Sequence, residues 1–226
     1  MKKLLVLTFM VTIIWAQAQE TQTRSIGPFT GVRAEEGIDV FLKKGPKESI
    51  RVEVSGTSLD NVITELSGSY LKVHMRSGDY RGSVDVKVYV TYVKIDKLSA
   101  SSAGSIFSEG SIETDDLELS ASSAGNVDLT IQAGTVEVNV SSAGEVELQG
   151  TANTLVAEAA SAGEIDAYDL TAKKVEAEAS SAGSIKVSVT EELDAHSSSG
   201  ASIRYRGNPN KSITNSTSGG SVKKSN

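Results

Sequence analysis

The sequence predicts an all-β fold: a right-handed parallel β-helix with about 20 residues per coil. Two observations carry that prediction: a short corner sequence recurs at nearly constant spacing, and apolar and polar residues alternate on either side of it. Cysteine is absent, so no disulfide staples the fold and its stability must come from the stacked core.

The corner first occurs as Ser101-Ser102-Ala103-Gly104-Ser105-Ile106 and returns with its glycine at Gly125, Gly144, Gly163 and Gly183. Two altered copies follow, Ser198-Ser199-Gly200-Ala201-Ser202-Ile203 and Thr217-Ser218-Gly219-Gly220-Ser221-Val222. With Gly104, Gly125, Gly144, Gly163, Gly183, Ala201 and Gly220 aligned, the steps are 21, 19, 19, 20, 18 and 19 residues. Gly104, Gly125, Gly144, Gly163 and Gly183 are therefore the expected structural corner. A small residue is needed where coils pack closely, and glycine also tolerates positive φ.

Before each corner the inward positions read Leu117, Leu119, Ala121, then Val136, Val138, Val140, then Leu155, Ala157, Ala159, then Val175, Ala177, Ala179. After it, the first inward position is Ile106, Val127, Val146, Ile165, Ile185, Ile203 or Val222, β-branched throughout. Each coil is thus expected to hold two short strands meeting at the corner. The variable connecting segments, such as Thr130 to Thr135 and Gln149 to Thr154, are expected to form its loop. Coils that cannot bury an apolar face alone must stack, about 4.8 Å apart. The leucine-rich repeat pattern is missing, and unstructured Ser/Gly linkers would not keep β-branched residues in register.

In chain order, residues 1–18 look like a secretory signal: Lys2 and Lys3, an apolar run from Leu4 to Trp15, and Ala16-Gln17-Ala18 as a cleavage site. The run is too short for a span, so the mature chain is expected to be exported without membrane insertion, to the periplasm, the outer surface or the medium. Residues 19–94 are expected to form a β region that covers the first coil, and residues 95–226 the coils, as one continuous domain. In the first of these, Gly37 to Leu42 and Ser49 to Val54 alternate around a Lys43-Lys44-Gly45-Pro46 turn. Ser58 to Leu66 is expected to hold at least one helical turn capped by Ser58. Leu71 to Met75 and Val84 to Val93 are further strands. Asn208 to Lys211 and Lys223-Lys224 look like a polar stop at the far end. The net charge of −7 argues against nucleic acid as a partner.

The chain resembles the head GIN domain family of bacterial auto-transporter adhesins. The resemblance lies in Phe29-Thr30-Gly31-Val32, Glu36-Gly37-Ile38-Asp39-Val40-Phe41-Leu42, Leu59-Asp60-Asn61-Val62-Ile63 and Val88-Tyr89-Val90-Thr91-Tyr92. It continues through the Ser-Ala-Gly corners to Ala167-Tyr168-Asp169-Leu170 and Tyr205-Arg206-Gly207-Asn208-Pro209. It implies a three-sided β-helix and an adhesin-like role, and it supplies no catalytic residues. This chain departs from the family's usual corner, Ser-Gly-Ala-Ser-Asp-Val, by shifting the glycine and losing the acidic residue.

The chemistry-bearing residues are few. Only His74 and His196 could serve a Ser-His-Asp site, and serine is too frequent here for proximity to single one out. Asp128, Glu145, Glu147, Glu164 and Asp166 point outward on consecutive coils. Hard cations take carboxylate oxygens, which makes this a candidate calcium site. The competing reading, favoured by the lack of an EF-hand or nonapeptide motif, is a solvated acidic face softened by Lys186 and Arg204. No other cofactor is expected. The sequence therefore points to an exported non-enzymatic protein that binds a glycan or protein ligand through its surface. The rivals are a polysaccharide-active enzyme on the same scaffold and an envelope scaffold that forms homo-oligomers.

Overall fold

The computed structural model describes residues 20–80 and 82–225, so the expected leader lies outside the described residues. Eight strands precede the regular coils: β1 (Glu20–Arg24), β2 (Gly31–Ala34), β3 (Asp39–Lys44), β4 (Ser49–Ser55), β5 (Val62–Ser67), β6 (Tyr70–Met75), β7 (Asp85–Tyr92) and β8 (Lys97–Ser101). Five long strands follow, β9 (Ser105–Ser122), β10 (Asn126–Val140), β11 (Glu145–Ala159), β12 (Glu164–Ala179) and β13 (Ser184–Ser197). The last are β14 (Ser202–Arg206), β15 (Lys211–Ser216) and β16 (Ser221–Lys224).

The long strands stack in parallel and in register, with Val127 beside Val146, Val146 beside Ile165 and Ile165 beside Ile185. The result is a β-solenoid of about seven turns, roughly 19 residues apart. The β-branched stripe from Ile106 to Ile203 is buried in every coil. Stacking makes like side chains neighbours, which is why each inward position keeps its type from coil to coil.

The connecting segments differ from the expected loops. Thr130 to Ala133 pair in register with Gln149 to Ala152, so each regular coil is one long bent strand rather than two short ones. Ile112, Ile131, Leu170 and Val189 from these segments are buried, and they give the core a further apolar side. Differences in coil length are absorbed by register shifts, as between Asp128 and Thr130 and between Ala167 and Thr171. Two extra residues leave the ladder at the first shift and three at the second, and pairing resumes on both sides.

The corner glycines owe their identity to close approach and not to positive φ. None of Gly104, Gly125, Gly144, Gly163 and Gly183 has a positive φ; the serine and alanine before each do, as at Ser142 (51°) and Ala143 (58°). That pair turns the chain. Gly144 N donates to Ser141 O at 2.9 Å, and Ala143 N donates to Ser161 O of the next coil at 3.2 Å. A left-handed conformation costs a non-glycine residue about 1–2 kcal/mol, which the ladder on both sides offsets. A Cβ at Gly144 would lie 2.6 Å from the Ala121 carbonyl of the preceding coil, and one at Gly125 2.3 Å from the Ala100 oxygen.

The stack also reaches into the first part of the chain, out of sequence order. Strand β2 pairs in parallel with both β6 and β8, and β3 with both β7 and β9, so β2 and β3 lie between strands that follow them in sequence. Their own corner places Glu36 (φ 61°) and Gly37 (φ 71°) where later coils have serine and alanine. Ile38 then stands in the glycine position. On that side β6 ends at Met75 and β7 begins only at Asp85, and Ile38 is fully buried. Antiparallel strands finish this end, with β5 on β6, β4 on β7 and β1 on β4. The helical expectation shrinks to a 3-10 turn at Leu59–Asn61, capped by the Ser58 side chain. Val62-Ile63-Thr64 is a β-branched run and pairs as strand β5 instead.

At the other end the core becomes polar. Opposite Leu193 and Ala195, the last coil places Ser212 and Thr214, and β15 is exposed throughout. One coil earlier Ser197 is already buried, its hydroxyl donating to Ala201 O at 2.9 Å and accepting from Ser221 N at 3.1 Å.

Candidate binding surfaces on either side of the corner

Outward side chains form columns too, and two columns flank the corner. On the face leaving it, Asp128, Glu147 and Asp166 are consecutive neighbours, while Glu145 and Glu164 pair in a column two residues nearer the corner. The five carboxylates predicted from the sequence are thus split between adjacent columns. Lys186, in the next coil, binds both, with Nζ 2.8 Å from Glu164 and 2.9 Å from Asp166. These two bonds raise the lysine pKa. Glu147 has no such partner. Desolvation, and after it the charges of Asp128 and Asp166, push its carboxyl above the usual range although it stands exposed. Among the described residues no three acidic or imidazole groups are placed to hold a metal ion together.

The same column continues in both directions. Beyond Asp128 lie Phe107, Phe41 and Tyr89, stacked with ring centroids 5.2 Å apart, and Arg51 lies 3.9 Å from the Tyr89 ring. Beyond Asp166 lie Lys186, Arg204 and Lys223. The aromatic part was invisible in the sequence because Phe41 and Tyr89 reach it from strands threaded out of order.

On the face entering the corner, Ser120, Asn139, Glu158, Glu178, His196 and Asn215 form one column across six coils. The next outward column toward the corner is small, with Ser141, Ala160, Ser180 and Ser198. Long side chains beside short ones leave a groove of about 530 Å³ along the solenoid axis, lined by both columns. Sequence reasoning missed it. The one usable signal is position, since each of these residues lies five before its corner residue, but their types vary too much to mark a motif.

Both histidines lie beside carboxylates. His196 Nε2 lies 2.7 Å from Asp194 Oδ1, an ion-pair distance when the ring is protonated, but the angle does not make a hydrogen bond. His74 contacts Glu65 and the Met75 carbonyl. Among the described residues no serine hydroxyl hydrogen-bonds to either ring. No helix among them is long and apolar enough to cross a membrane.

Fold and surface together define a β-solenoid with an extended groove and a column of segregated charge. The family described as "Putative auto-transporter adhesin, head GIN domain" matches residues 28–209, and the chain belongs to that family. No curated protein matches it significantly. Among solved structures it is similar to one described as a putative adhesin from Bacteroides fragilis NCTC 9343, at 22% identity and a TM-score of 0.85, over 93% of this chain and 98% of that one. A second, a putative adhesin from Parabacteroides merdae ATCC 43184, gives 17% identity and a TM-score of 0.76 over 92% and 96% of the two chains. A third, described as a putative lipid binding protein from Parabacteroides distasonis ATCC 8503, gives 22% and 0.71 over 92% and 97%. At these identities the likeness concerns the fold.

Proposed function

We propose that the protein is exported and acts without catalysis, as an adhesin-like module that holds an extended ligand along the groove entering the corner. The observation that carries this is the groove itself, which offers a hydrogen-bonding side chain on each of six successive rungs. Exposed carboxylates and amides beside small hydroxyls suit a hydroxyl-rich chain, and a glycan is the ligand class this favours. A lipid fits less well, because the large apolar side chains that stand exposed, Leu66, Val93 and Ile213, are not among the groove residues. An adhesin of this kind works by many weak, repeated contacts, which a column repeating every coil supplies.

The test is a glycan array probed with purified protein in calcium and in chelator. Saturable binding to a defined glycan, unchanged by chelator, is the expected result. Silence on every glycan, with binding instead to extended peptides, would replace the glycan by a polypeptide. Loss of glycan binding in chelator would move the site to the carboxylates of the opposite face.

A further inference from the structure

The column leaving the corner carries its charges in two blocks, three acidic rungs followed by three basic ones: Asp128, Glu147 and Asp166, then Lys186, Arg204 and Lys223. Among the described residues only the junction is neutralised within the molecule, by Lys186. Arg204 and Lys223 are exposed and make no ion pair among the described residues, and Glu147 stands exposed between two other carboxylates.

We infer that this face binds a second copy of the chain, the two solenoids lying antiparallel across a two-fold axis at the junction between Asp166 and Lys186. Charge order selects that occupant. A two-fold axis in the plane of the face and perpendicular to the solenoid reverses one column against the other. Each acidic rung of one copy then meets a basic rung of the second: Asp166 meets Lys186, Glu147 meets Arg204 and Asp128 meets Lys223. Each pair occurs twice, as symmetry requires of an isologous contact. The parallel arrangement would set acid against acid. The neighbouring column agrees, since Glu145 and Glu164 are followed along the stack by Ser184, Ser202 and Ser221, with no like charge to repel them.

Six rungs at about 4.8 Å give a contact strip roughly 29 Å long, below the size of a standard stable interface. The dimer is therefore weak, salt-sensitive and governed by charge. It leaves the glycan groove free, because that groove lies on the other side of the corner, and it doubles the number of grooves per particle. This inference does not depend on what the groove binds.

Sedimentation velocity over a protein dilution series, at low and at high salt, tests it. A reversible dimer at low salt that dissociates at high salt is expected. Glu147→Lys alone and Arg204→Glu alone should each weaken dimerisation about tenfold or more, because each places two like-charge pairs in the interface. Glu147→Lys combined with Arg204→Glu restores opposite charges across the axis and should return the dimer to near wild-type strength, while circular dichroism checks that each variant keeps its fold. A monomer at all concentrations in low salt would overturn the inference. So would a dimer indifferent to the single reversals, or one that the double reversal fails to restore.

Discussion

The faces entering and leaving each corner belong to the same stacked ladder, yet their outward side chains are arranged in opposite ways. Inward positions on both are held to a narrow set of apolar types because each touches its equivalents in the coils above and below. Outward positions lack that constraint. Entering the corner they vary rung by rung, Ser120, Asn139, Glu158, Glu178, His196, Asn215; leaving it they segregate into aromatic, acidic and basic blocks. A stacked fold separates stability from recognition by side-chain direction alone, and it gives one chain two unrelated surfaces a few residues apart.

The corner between the faces should be the least tolerant position. Gly144→Val places a branched side chain against the Ala121 backbone and should cost about 4 kcal/mol or more, read from chemical denaturation. Gly144→Ala should cost less than valine, since Ala201 occupies the equivalent position in a later coil, but its Cβ would still press on the Ala121 carbonyl. A wild-type denaturation curve for the valine variant would mean that the coils can separate at the corner, and that the two faces are not rigidly joined.

Next in size is the segment that the sequence marked as a loop. Ile131→Ala removes a fully buried side chain and should cost about 2–4 kcal/mol. A loop residue would cost almost nothing, so the same denaturation measurement separates the two descriptions.

The smallest effect concerns charge on the leaving face. The Glu147 pKa is raised in the folded protein, so the fold holds that proton more tightly than the unfolded chain does. Its contribution is unfavourable once the carboxyl is ionised, and that penalty disappears as pH falls through the carboxylate range. Glu147→Gln should therefore leave stability at neutral pH unchanged or raise it by less than about 0.5 kcal/mol, and should remove part of the gain on mild acidification. Melting curves of wild type and variant across that range provide the check; a variant clearly less stable at neutral pH would contradict the repulsion described for this column.

The sequence made the coil legible where identical residues recur at fixed spacing, because stacking demands repetition: the β-branched stripe and the corner glycines were both readable. On the side carrying Ile131 and Leu170 the two differ: Ile131 continues the alternation of Val127 and Leu129 and was legible, whereas extra residues before Leu170 shift the register and interrupt the alternation there. The cause of the corner glycines was half legible. Crowding between coils follows from stacking, but the positive φ falls on serine and alanine, residues that seldom adopt it, and only the intercoil hydrogen bonds explain why they do. The N-terminal coils were hidden by threading, because neighbours in the stack are not neighbours in sequence there. The acidic residues could be named in advance, but their separation into two columns and the Lys186 bridge required the register. The groove left no motif, because its outward side chains are not packed between equivalents in the core and so are not held to one type.

The most direct test of the account compares the two faces on the same glycan array. Glu158→Ala with Glu178→Ala changes two adjacent rungs of the groove, and Asp128→Asn with Glu147→Gln changes two adjacent rungs of the opposite face, each without touching the core. At a salt concentration that dissociates the dimer, so that every variant is compared as a monomer, the account predicts that the first pair abolishes glycan binding and the second leaves it intact. Retained binding in the first, or loss in the second, would contradict the assignment of the ligand to the face that enters the corner.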